Sequence, residues 1–89
     1  MRNRVRAAIT VMLGPPIHDG DTTTWRVETP GQESLHVALC TTEPAGTPLV
    51  MIFNPAATDG KQVKEFWLRG QTDVALLLGE LLAIAPART

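Results

Sequence analysis

Residues 35–53 read LHVALCTTEPAGTPLVMIF, and this stretch decides the fold. Residues 35–42 hold an extended pattern, and Glu43-Pro44-Ala45-Gly46-Thr47 then brings Pro and Gly together as a turn. Residues 49–53 follow as an unbroken apolar run of strand length, stopped by Asn54-Pro55. Two such runs around a short turn predict an antiparallel pair. Within 49–53 both alternating sets are apolar, Leu49, Met51 and Phe53 on one side and Val50 and Ile52 on the other, so both faces call for cover. Residues 35–40 behave similarly.

Upstream, Thr23, Trp25 and Val27 alternate with Thr24, Arg26 and Glu28, which predicts a strand with one wet face. Thr29-Pro30-Gly31-Gln32 supplies the turn that follows it. Downstream, residues 61–69 fit two templates. Val63, Phe66 and Trp67 share a helical face, whereas Lys64, Phe66 and Leu68 share a strand face, and strand is the preferred reading.

At the carboxyl end Thr72 is a candidate cap and Asp73 complements the positive end of a helix. Val74, Leu77, Leu78, Leu81 and Leu82 form its main apolar face up to Pro86. Residues 3–13 are again ambiguous. A helix puts Val5, Ala8, Ile9, Met12 and Leu13 on one stripe, and a strand puts Val5, Ala7, Ile9, Val11 and Leu13 inward. Asn3 as N-cap and Gly14 as C′, with Pro15-Pro16 beyond, favour the helix. The expected class is α+β: a small antiparallel β-meander of three to four strands, packed with a C-terminal helix and an N-terminal helix, as one domain over 1–89.

Composition narrows the function classes. The chain has 89 residues, 44% of them hydrophobic, 19% charged and 4% aromatic, with a net charge of -1. That is an ordinary globular profile without the global field that draws proteins onto nucleic acid or anionic lipid. The most apolar segment, 74–85, contains Glu80 and falls short of the roughly 20 residues a membrane span needs. Arg2, Arg4 and Arg6 before an apolar run imitate an export signal only faintly, since Gly14-Pro15-Pro16 follows where small cleavage-site residues belong. With Cys40 as its single cysteine, the chain has no disulfide framework, and a reducing, cytoplasmic setting is expected.

No catalytic, cofactor or metal motif is legible. His18-Asp19-Gly20-Asp21 groups possible ligands, but no bidentate acid follows at a calcium-loop offset, and Asp with Gly is ordinary turn chemistry. Zinc would need more than His18, His36 and Cys40. On an extended strand His36 and Cys40 share a face but stand roughly 13 Å apart, beyond hydrogen-bond reach. Cys40 is expected to be buried and inert.

Two surfaces remain as candidates. Ala75, Gly79 and Ala83 recur every four residues on the last helix, a small-residue row that suits close approach by another backbone, either a partner's or that of the chain's own sheet. Arg2, Arg4 and Arg6, joined by Lys61, Lys64 and Arg69, could contact phosphates, although six cations spread over a balanced surface are usually solvation. A short chain with apolar residues on both strand faces is completed most simply by a homodimer, through the second sheet face or the last helix. The leading expectation is therefore a non-enzymatic, self-associating module with a homodimeric or unidentified protein partner. A nucleic-acid-binding domain using the N-terminal arginines comes next, and a small-ligand binder or enzyme with a site formed at a dimer interface third.

Overall fold

A computed structural model of the chain describes residues 2–28, 34–42, 46–55 and 64–84. The elements run α1 (Arg2–Leu13), β1 (Thr23–Val27), β2 (Leu35–Thr42), β3 (Thr47–Phe53), β4 (Lys64–Trp67) and α2 (Gln71–Ile84). The four strands form one sheet in chain order, each antiparallel to the next, so the fold is an α+β meander with a helix at either end. The turn expected at Thr29-Pro30-Gly31-Gln32, the first three residues of the turn at 43–47, residues 61–63 and the stop at Pro86 lie outside the described residues.

Residues 3–13 are helical. Val5, Ile9 and Leu13 form the buried stripe, and the stop comes at the glycine. Gly14 adopts φ 92° and its N–H donates to the Thr10 carbonyl at 2.8 Å, a conformation that side chains with a Cβ rarely hold. The start differs by one position: the helix begins at Arg2, so Asn3 lies inside the first turn rather than capping it.

Residues 64–67 form a strand. In the sheet Thr23 stands opposite Leu39, Leu39 opposite Val50, and Val50 opposite Phe66, while Trp25 aligns with Val37 and Ile52. All these side chains share one face. Trp25, Val37, Leu39, Val50 and Ile52 join Val5, Ile9 and Leu13 of α1 and Leu77 and Leu81 of α2 in one apolar core, with Phe66 packed against it. Both helices therefore lie on the same side of the sheet. The N-terminal helix, which could have covered the second face within one chain, adds instead to the first. The loop after it is clasped back onto the helix. Arg2 Nη2 donates to the Gly20 and Asp21 carbonyls at 3.2 and 3.3 Å and to Thr23 Oγ1 at 3.3 Å. Arg6 pairs with Asp19, which also accepts a hydrogen bond from Thr23 Oγ1 at 3.0 Å.

The start of α2 is built differently from the expected Thr72 cap. The helix begins at Gln71, and Asp73, two residues into it, reaches back: its Oδ2 accepts from the Arg69 and Gly70 N–H groups at 2.9 and 3.1 Å. This is the acidic half of a capping box. Asp73→Ala is expected to lower the unfolding free energy by about 1 kcal/mol, as loss of a helix cap does, and thermal melts of the two proteins measure it.

Candidate functional site

The two candidate surfaces part company in the structure. Of the three arginines, Arg2 and Arg6 lie one turn apart on α1 and hold the 19–23 loop, whereas Arg4 is exposed on another side of the helix. The Asp19 carboxyl is held below the usual aspartate range, first by its hydrogen bond from Arg6 and then by that from Thr23. A lowered folded-state value means that the contribution of this clasp is present above the ordinary aspartate pKa of about 3.9 and fades as the pH falls through the lowered value. Asp19, the centre of the His18-Asp19-Gly20-Asp21 cluster, thus has its carboxylate engaged by an arginine and a hydroxyl. Among the described residues, no three His, Cys, Asp or Glu side chains gather as metal ligands would.

The row on α2 faces outward. Ala75, Gly79 and Ala83 are all exposed, and a Cβ added at Gly79 meets nothing within 4 Å. This removes the alternative in which the row presses on the chain's own sheet. The row is flanked by Leu76 and Leu82, 62% and 70% exposed. At about 100° per residue, Leu82, Ala75, Gly79, Ala83 and Leu76 fall in that order across an arc of roughly 120°. The helical stripe read from the sequence puts Leu82 on the inward face, and the structure corrects this. Leu82 sits outside because the core takes Leu77 and Leu81 fully, with Val74, Leu78 and Ile84 packed at its margin.

The second sheet face is also uncovered by any described element. It carries Arg26, His36 and Phe53 in one row, Thr24, Ala38, Met51 and Glu65 in the next, and Cys40, Leu49 and Trp67 in the third. His36 stacks edge-on against Phe53 with ring centroids 5.7 Å apart, and Arg69 lies over Trp67 at 5.8 Å. At its centre Ala38 and Leu49 are 5% and 8% exposed. Cys40 belongs to this face and is half-buried rather than buried, because no described helix lies over it.

Between the helices runs a cleft of about 590 Å³ lined by Arg4, Val5, Ala8, Gln71, Val74 and Leu78 among others. No spacing rule points to it, since its walls come from opposite ends of the chain. No helix among the described residues is long and apolar enough to cross a membrane. Compared with known proteins, the chain matches no family model, no curated protein and no solved structure.

Proposed function

We propose that this protein is a non-enzymatic, cytoplasmic interaction module that associates with itself through the outer face of α2. The observation that carries the reading is the exposure of Leu76 and Leu82 on either side of Gly79. Isolated surface leucines need no explanation, but two large ones joined by a bare small-residue row make a continuous apolar face on a short chain. The face is also symmetric about Gly79. Leu76 and Leu82 stand three residues before and after it, and Ala75 and Ala83 four before and after. A two-fold axis passing beside Gly79 would therefore set two antiparallel α2 helices with Leu76 against Leu82 of the second copy, Ala75 against Ala83, and Gly79 against itself. An isologous interface requires this kind of self-complementarity.

The strength follows from the same residues. Burying an exposed leucine contributes about 1.5–3 kcal/mol when complete, so four partly exposed leucines contribute about 4–8 kcal/mol. That is comparable with the roughly 4–15 kcal/mol cost of association. The dimer should be reversible and concentration-dependent rather than permanent.

The sheet face is the competing surface, and one comparison separates the two. In sedimentation velocity Leu82→Glu should shift the protein to a folded monomer, whereas Met51→Glu should leave association unchanged. Cys40 labelling by a thiol reagent should likewise be independent of protein concentration. The opposite pattern, monomer from Met51→Glu and protection of Cys40 on association, would move the interface to the sheet. The nucleic-acid reading retains Arg4 as the one N-terminal arginine not engaged by the 19–23 loop. It requires binding that weakens steeply with added salt.

A further inference from the structure

We infer that the cleft between α1 and α2 binds a small amphipathic carboxylate, such as a medium-chain fatty acid, with its carboxylate on Arg4 and its chain between the helices. The cleft borders the outer face of α2 and shares Ala75 with it, but the assignment rests on Arg4, Ala8 and Leu78, which that face does not include. Val5, Ala8, Val74, Ala75 and Leu78 form the apolar part of the walls of the cleft, whose volume of about 590 Å³ lies within the ~300–1,000 Å³ range of small-molecule sites.

Among the described residues Arg4 and Gln71 are the polar side chains of the lining, and no acidic side chain joins them. The two acids of α2 are occupied elsewhere: Asp73 accepts from the Arg69 and Gly70 N–H groups, and Glu80 pairs with Lys64. Arg2 and Arg6 are held by the 19–23 loop. Among the described residues Arg4 alone of the N-terminal arginines is tied to no other side chain or carbonyl, and it stands at an apolar cleft.

This arrangement selects for a ligand. A guanidinium presents a planar fork that pairs bidentately with a carboxylate, and the Gln71 amide adds a neutral donor or acceptor beside it. One uncompensated positive charge matches a monoanion, and the apolar walls match an alkyl or aryl body. A cationic amphiphile would meet Arg4 as a like charge, and a neutral one would gain only the walls.

The test titrates the isotope-labelled protein with sodium decanoate, decan-1-ol and decyltrimethylammonium below their aggregation thresholds, following backbone amide shifts. Decanoate should saturate, move the amides of Ala8, Gln71 and Leu78, and bind at least tenfold more tightly than decanol, with the cation weakest. Arg4→Gln, at an exposed position, should keep the fold and bring decanoate down to the affinity of decanol. Ala8→Trp, which fills the cleft, should abolish both. Decanoate binding unchanged by Arg4→Gln would overturn the assignment, as would shifts centred on Ala38 and Met51 of the sheet face or no saturable binding at all. Because Ala75 borders both surfaces, the titrations are repeated over a range of protein concentrations; decanoate affinity that stays constant across them separates failure here from failure of the self-association reading.

Discussion

Trp25→Ala is expected to remove about 3–5 kcal/mol of stability, the range for truncating a large buried aromatic. Trp25 is 0% exposed and sits in the row with Val37 and Ile52 beneath the helices. A domain of this length holds on the order of 4–13 kcal/mol at ordinary values per residue, so the variant should be mostly unfolded or close to it. Urea titration followed by circular dichroism reads the loss directly. The indole also carries an oddity: its Nε1–H is buried with no hydrogen-bond partner among the described residues. An unpaired buried donor costs about 1–3 kcal/mol. Trp25→Phe removes that donor along with part of the ring volume, and the two effects oppose one another. It should fall within about 1 kcal/mol of the parent. A loss as large for Trp25→Phe as for Trp25→Ala would mean that the indole N–H has a partner after all.

Gly79→Leu carries the second large effect, and it acts on assembly rather than folding. The glycine is exposed and a Cβ added there has no neighbour within 4 Å, so a leucine is accommodated within one chain. Replacing an interior helical glycine should raise monomer stability by up to about 1 kcal/mol through helix propensity. Across the two-fold axis the same side chain meets its own copy where two backbones approach, and overpacking typically costs ~1–3 kcal/mol. The dissociation constant should rise by roughly tenfold to a hundredfold, at 1.4 kcal/mol per factor of ten. Melting temperature and association should therefore move in opposite directions. A variant that melts higher and associates as strongly as the parent would remove Gly79 from the interface.

The meander is legible because its signals are local. Pro and Gly between the apolar runs 35–42 and 49–53 mark a turn, and Thr23, Trp25 and Val27 alternate cleanly, as their burial shows. Residues 3–13 and 64–67 are balanced between periods, and the competing templates differ by only a few side chains. Tertiary contacts resolve them: Val5, Ile9 and Leu13 meet the core as one helical stripe, while Lys64 pairs across the sheet with Ile52. Residues 49–53 carry no local signal of which side of the sheet each helix takes, because both alternating sets there are apolar; only the wet face of 23–28 points to it.

The candidate site is legible in part for related reasons. The spacing of Ala75, Gly79 and Ala83 is visible in the chain, but α2 is apolar nearly all round, so no period distinguishes Leu82, which is outside, from Leu81, which is buried. The clasp of Arg2 and Arg6 on the 19–23 loop joins residues thirteen or more apart in sequence, beyond any spacing rule. What separates Arg4 from its neighbours is therefore a property of the folded chain.

The central claim, a two-fold axis beside Gly79, is tested most directly by disulfide trapping in a Cys40→Ala background. A residue on a two-fold axis faces its own copy, and only there does a single new cysteine pair with itself at the short Cβ separation of about 3.5–4.5 Å that a disulfide needs. Gly79→Cys should oxidise rapidly to a covalent dimer. Ala83→Cys should do so slowly alone but rapidly when mixed with Ala75→Cys, giving the mixed dimer. Equal, slow cross-linking at all three positions, no faster than at the exposed Thr41→Cys on the sheet, would contradict the axis and with it the proposed mode of association.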